Sequence, residues 1–139
     1  MQYLLDTNVC IEILRGRNPY LKQRLETAGF DKLSLCSIVW AELHCGACLL
    51  ANPEPEIRRI EAAFAGWPRL PFDDAAAERY GLIRARLQGA GRLIGANDLL
   101  IAATALANGL ALITHNTDEF KRVEGLDVED WEAETRPCE

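Results

Sequence analysis

Leu110-Ala111-Leu112-Ile113-Thr114 is the stretch on which the fold turns. Four apolar residues follow one another with no polar alternation, directly after Gly109. Such a run has both faces covered, which is the position of a central strand in a parallel sheet with helices on either side. On its N-terminal side, Asp98 to Asn108 is dense in Leu, Ile and Ala, the composition of a helix packed on most sides, and Gly109 is a natural stop for it. On its C-terminal side, His115-Asn116-Thr117-Asp118-Glu119-Phe120 reads as a loop and a helical turn. The start of the chain has the same strand, loop and helix order. Gln2-Tyr3-Leu4-Leu5 is a short apolar run stopped by Asp6-Thr7-Asn8, and Val9, Ile11, Ile13 and Leu14 mark a short helix up to Gly16. Lys32 to Ser37 alternates like a strand, with Ser37 placed to cap a helix from Val39 to Ala47. Asn52-Pro53-Glu54-Pro55 breaks the chain, after which an amphipathic segment (Ile57, Ile60, Ala63, Phe64) runs to Gly66. A short Leu70-Pro71-Phe72 strand follows, then a longer helix capped by Asp73 or Asp74 and ended by Gly89-Ala90-Gly91. Strands alternating with helices define an α/β protein, here one domain over residues 1–139 with three α/β/α layers around a mainly parallel sheet. Right-handed crossovers then bring the C-terminal ends of the strands to one edge, where such folds hold their ligands.

Composition narrows the function classes. The chain has 139 residues, 49% hydrophobic and 26% charged, enough to bury a core without disulfides or metals. No run approaches the ~18 apolar residues of a membrane span, and no basic, then apolar leader opens the chain, so a cytoplasmic protein is expected. Five cysteines, an odd number at irregular spacing, fit reduced thiols. Cys45 and Cys48 have the spacing of a redox pair or half a zinc site, but no second Cys or His pair accompanies them, and they are expected to pack as small apolar residues on a helix. A net charge of −6 argues at first sight against a nucleic acid partner. By segment that objection dissolves: residues 1 to 123 carry 14 acids and 14 bases, whereas 124 to 139 carry seven acids and only Arg136. Between Glu78 and Asp98 lie Arg79, Arg84, Arg86 and Arg92 with no acid among them, which is either a solvated helix face or a surface for an RNA backbone.

Three acids are placed oddly for surface residues. Asp6 directly follows an apolar strand, Glu42 lies a turn into an apolar helix, and Asp98 opens a nearly all-apolar one. Taken singly, Asp6 and Asp98 read as N-caps and Glu42 as a solvated position. Capping does not explain why all three project toward the same sheet edge. Clustered carboxylates repel and have raised pKa values unless a cation compensates them. Oxygen-only ligation suits Mg²⁺ or Mn²⁺, completed by water and substrate phosphate. This is a phosphodiester-cleaving site in outline.

Tyr3 to Asn8, Ser37 to Leu43, Ile94 to Ala103 and Leu112 to Phe120, taken in order, resemble the successive motifs of the PIN domain, and more narrowly the VapC-type ribonuclease toxins of bacterial toxin–antitoxin systems. The resemblance runs from residue 2 to Trp131. It implies a PIN-like fold and a Mg²⁺-dependent endoribonuclease in which metal-activated water leaves a 5′-phosphate and a 3′-hydroxyl. Asp6, Glu42 and Asp98 would be the acidic site residues, with Asp6 and Asp98 matching metal ligands. In many PIN domains a fourth acid stands where this chain has Asn116, so Asp118 or Glu119 is expected to take over. Thr7, Asn8, Thr114 and Asn116 would orient the carboxylates or meet substrate, unless they are ordinary turn and cap residues. The resemblance further implies a structured RNA substrate, with the anticodon stem-loop of an initiator tRNA as a candidate. It also implies a second copy of the chain and a VapB-type antitoxin whose tail occupies the site. Ile11, Leu14, Trp40 and Leu50 are candidate contact residues for these partners. His115 is a weaker candidate for touching phosphate.

Two other readings remain at this level. A phosphoacceptor signalling domain is also a small parallel α/β fold with an acidic pocket, but Ile113-Thr114-His115 offers no Lys after the last strand. A catalytically weak PIN-like scaffold is the other, kept open by Asn116.

Overall fold

The computed structural model describes residues 2–134. Along the chain it contains β1 (Tyr3–Leu5), α1 (Thr7–Arg15), α2 (Pro19–Ala28), a 3₁₀ turn (Phe30–Lys32), β2 (Leu33–Cys36), α3 (Ser37–Cys48) and α4 (Glu54–Ala63). It continues through β3 (Arg69–Leu70), α5 (Asp74–Gly89), α6 (Ala96–Ala107), β4 (Ala111–Ile113), α7 (Thr117–Phe120) and β5 (Val128–Glu129). The strands form one sheet in the order β3-β2-β1-β4-β5, every pair parallel. The α/β reading therefore holds, with a sheet that is wholly rather than mainly parallel. β1 and β4 are its interior pair, with Tyr3 opposite Ala111 and Leu5 opposite Ile113. Their residues Leu4, Leu5, Ala111, Leu112 and Ile113 are at most 1% exposed, as the unalternated apolar runs require. Outside the sheet, α5 packs on α6, and α3 on both α1 and α4.

Local chemistry sets the element ends. Asp6 has extended backbone and accepts from the Thr7 amide, capping α1. Gly16 closes that helix at φ 65°, a left-handed conformation that costs other residues a Cβ clash. Asn18 accepts from the amides of Tyr20 and Leu21 to start α2, with Pro19 in its first turn. That helix is absent from the pattern of apolar residues because it buries only Leu21 and Leu25. Asp73 caps α5 through the Ala76 amide.

Several boundaries differ from the sequence reading. Ser37 is the first residue of α3 and its cap position is Cys36, which makes no side-chain capping bond. The third strand is Arg69–Leu70 instead of Leu70 to Phe72, because Pro71 has no N–H to extend a ladder. β5 gives no hydrophobic signal at all, yet its register of Ile113 with Glu129 completes the sheet. Just beyond it, Trp131 is buried edge-on against Tyr3, ring centroids 4.8 Å apart, and ties this segment to β1. Cys45 and Cys48 are exposed instead of packed, whereas Cys10 and Cys36 are buried; all four are free thiols. Arg136, Cys138 and Glu139 of the acidic tail lie outside the described residues.

Candidate active site

Because β1 and β4 are parallel neighbours, their C-terminal ends deliver Asp6 and Thr114 side by side. The ladder runs one step past the strands, with the Asp6 amide donating to Ile113 O at 2.9 Å and the Thr114 amide to Glu129 O at 3.0 Å. Asp6 is 5% exposed. Its Oδ1 accepts from the Thr7 amide and its Oδ2 from Thr114 Oγ1, both at 2.8 Å. Burial pushes its carboxyl above the usual range; these two bonds oppose the shift and Glu42 adds to it.

Glu42, half-buried on α3, is held from the same turn. Thr7 Oγ1 donates to Glu42 Oε1 at 2.8 Å, so Thr7 links two of the acids, one through its amide and one through its hydroxyl. Asp98 sits in the first turn of α6, which begins two residues earlier with Gly95 at the cap position. Its carboxylate is thus not the cap of α6. Partial burial raises its pKa to about 6, with repulsion from Asp6, Glu119 and Glu42 and a hydrogen bond to Glu119 adding to the shift. The loop before it runs close: a Cβ at Gly95 would lie 3.3 Å from Asp98 Oδ2.

The fourth carboxylate is Glu119. Asn116 holds the cap position of α7, and its Nδ2 donates to Glu119 Oε2 at 3.0 Å, three residues on. The spacing is that of a cap and the third helical residue, but the bond runs between the two side chains and Asn116 makes no side-chain bond to the helix backbone. The Asn116 amide in turn donates to Thr114 Oγ1 at 3.0 Å, so the chain of hydrogen bonds runs from Glu119 through Asn116 and Thr114 to Asp6. Asp118 is exposed and takes part in none of these interactions. Asn8 is also exposed and makes no side-chain hydrogen bond to the acids among the described residues. Sequence reasoning left Asp118 and Glu119 open; the Asn116 contact, seen only in the folded chain, separates them.

Asp6, Glu42, Asp98 and Glu119 therefore lie near one another at the C-terminal edge of β1 and β4, within range of mutual repulsion, although among the described residues no three of them bring one oxygen each within 4.8 Å of the others. They offer only oxygen donors, and the pKa values of Asp6 and Asp98 are raised first by burial and then by the neighbouring acids. A hard divalent cation matches that donor set and that charge.

Two features flank this centre. His115 pairs with Asp130 (Nδ1 to Oδ2, 3.0 Å), and Glu132 lies close enough that one donor atom of each falls within 4.8 Å of the others. No sequence signal pointed to this group, because β5 was not visible there. A mostly apolar groove of about 240 Å³ also opens beside Glu42, lined by Ile11, Leu14, Leu43, Ala47, Leu50 and Ile60.

The model of the PIN domain family matches residues 3–126. Among curated proteins, the tRNA(fMet)-specific endonuclease VapC of Shigella flexneri is 37% identical over 131 residues, covering 94% of this chain and 98% of that protein. Ribonuclease VapC2 of Haemophilus influenzae is 38% identical over 132 residues, with the same coverage. Among solved structures, DNA-bound VapBC from Salmonella typhimurium superposes with a TM-score of 0.88 at 32% identity, covering 94% of this chain and 98% of that one. VapBC2 from Rickettsia felis, bound to a DNA fragment from its promoter, gives 0.87 at 32% identity, covering 94% and 99%.

Proposed function

The chain belongs to the PIN domain family, and from that premise we propose that it is a divalent-metal-dependent endoribonuclease of VapC type, a toxin restrained by a VapB-type antitoxin. The observation that carries this reading is the convergence of Asp6, Glu42, Asp98 and Glu119, with Asp98 raised to about 6 by burial and by the other acids. Asp6 and Asp98 are the metal ligands in this reading. Glu42 and Glu119 complete the coordination or orient the attacking water.

Three of the four carboxylates are held by donors from the chain itself. The Thr7 amide and Thr114 hydroxyl hold both oxygens of Asp6, the Thr7 hydroxyl holds Glu42, and Asn116 holds Glu119. Donors to ligating carboxylates set their orientation, and rigid placement lowers the cost of assembling the site. Mg²⁺, or Mn²⁺ in its place, supplies positive charge to the scissile phosphate and lowers the pKa of a water when bound there. The products expected in this reading are a 5′-phosphate and a 3′-hydroxyl.

For substrate and partners, the printed names of the Shigella and Salmonella relatives, tRNA(fMet)-specific endonucleases, support a structured RNA such as the initiator tRNA anticodon stem-loop. The VapBC complexes among the structural neighbours support the antitoxin. The apolar groove between α1, α3 and α4 suits an apolar antitoxin segment, with Arg15 and Arg59 on its rim to meet acidic flanks and Glu42 at its edge. Ile11, Leu14 and Leu50 line this groove, whereas Trp40 is occupied elsewhere, with Arg69 over its ring and His44 tilted against it. A second copy of the chain is the other partner. No helix among the described residues is long and apolar enough to cross a membrane; with an RNA substrate, the place of action is the cytoplasm. Incubating purified protein with bacterial tRNA, with and without EDTA, alongside Asp6→Asn and Asp98→Asn, tests the reading. Undiminished cleavage in EDTA or in either variant would sink it.

A further inference from the structure

We propose that the RNA backbone leaves the acidic site along one flank only, through a groove where Arg86, Arg92 and Arg122 grip its phosphates; this rests on the ribonuclease reading above. The groove, about 200 Å³, forms between the end of α5 and the turn that follows α7. Its floor is apolar, with Ile83, Leu87 and Val123 each at most 6% exposed, and the three arginines line its sides. Two of them come from the arginine-rich stretch of α5 and the loop after it, while Arg122 arrives from 30 residues further along the chain. The other two arginines of that stretch do not contribute. Arg84 is turned onto Tyr80, 5.8 Å above its ring, and neither Arg84 nor Arg79 lines the groove.

All three guanidiniums have hydrogen-bonding capacity to spare. Arg122 gives Nη1 to the Leu93 carbonyl at 3.3 Å, and its Nη2 makes no hydrogen bond among the described residues. Arg86 has a single 3.4 Å ion pair to Glu124, with side chains 56% and 83% exposed. Exposed pairs of this kind are worth little, so a phosphate can replace the carboxylate. Arg92 is exposed and forms no ion pair among the described residues.

The groove and the acidic site are built partly from the same two chain segments. The Arg122 amide donates to the carbonyl of Glu119 at 3.1 Å, and Leu93, which Arg122 holds, lies five residues before Asp98. The opposite flank has the wrong charge. There Glu12, Glu132 and the adjoining Asp130 face His115 and Arg15 across a groove of about 400 Å³. Phosphates are attracted on one side and met by carboxylates on the other, and that asymmetry sets the direction.

The test is steady-state cleavage of bulk bacterial tRNA by wild type, Arg92→Gln, Arg122→Gln and the double variant, at several salt concentrations. Arg58→Gln, an exposed position on α4 outside both grooves, makes the same charge change. Each groove substitution is expected to raise KM by roughly fivefold with kcat within about twofold, the split of a positioning residue. The slope of log kcat/KM against log salt should flatten by about 0.7 per arginine removed. Arg58→Gln should match wild type. An active wild type whose groove variants keep its KM and salt slope overturns this proposal alone, as does an equal loss in Arg58→Gln. A wild type that cleaves no tRNA overturns the ribonuclease reading and this inference with it.

Discussion

Replacing Asp98 with Asn should abolish cleavage and yet stabilise the metal-free protein. In the folded chain the Asp98 carboxyl has a pKa of about 6 against an ordinary value of 3.8. A group with a raised folded-state pKa disfavours folding once it is ionised. Its favourable contribution is fully present below about pH 3.8 and is lost as pH rises through about 6. Linkage puts the full shift at about 3 kcal/mol. Asp98 is only half-buried, so solvent screening leaves about 1–2 kcal/mol. Asn keeps the shape and an N–H for Glu119 but never ionises. At pH 7.5 in EDTA, the variant should therefore melt about 5 °C above wild type, by the usual scaling for a domain of this size. The gap should close toward pH 4 and also shrink at pH 7.5 when Mg²⁺ is added, because the ion offsets the repulsion in wild type alone. Thermal melts followed by circular dichroism across that pH range read all three effects. A variant less stable than wild type at pH 7.5, or a gap independent of pH, would refute the burial and repulsion of the Asp98 carboxylate on which the cation site rests.

Thr114→Val removes the hydroxyl that donates to buried Asp6 and accepts from Asn116. Urea denaturation should show a loss of about 2–3 kcal/mol, the scale of a hydrogen bond to a buried charge. Glu119→Gln and Asn116→Ala should each lower tRNA cleavage by about tenfold or more. Asp118→Asn should stay within about twofold in the same assay, and comparable losses in Asp118 and Glu119 variants would remove the distinction between them. Leu14→Glu places a charge in the groove between α1, α3 and α4. The variant should still cleave RNA but bind a cognate antitoxin at least about tenfold more weakly, and full inhibition at wild-type antitoxin concentrations would show that the antitoxin docks elsewhere.

What the sequence made legible follows from which signals are periodic or apolar. Leu4, Leu5 and Leu112 announce buried parallel strands because a strand covered on both faces has no alternation to hide behind. Asp6, Glu42 and Asp98 stood out because each interrupts an apolar context. Glu119 did not, since its neighbour Asp118 is also acidic, and the Asn116 contact that distinguishes Glu119 is seen only in the folded chain. The pattern of residues puts the start of α6 at Asp98, two residues late, because a polar residue ahead of an apolar run looks like a cap whether or not it is one. β5 and the His115, Asp130 and Glu132 group were invisible because a two-residue strand has no pattern and its partners are brought together only by the sheet. Likewise Arg122 joins Arg86 and Arg92 through tertiary packing that no spacing encodes.

The central claim, that the four carboxylates are a cation site, is tested most directly by calorimetric titration of Mn²⁺ into the purified protein at pH 7.5. Saturable binding is predicted for wild type and for Asp118→Asn, and its loss is predicted for Asp6→Asn and Asp98→Asn. Wild-type protein that binds no Mn²⁺, or Asp6→Asn and Asp98→Asn variants that bind it as tightly as wild type, would contradict the account.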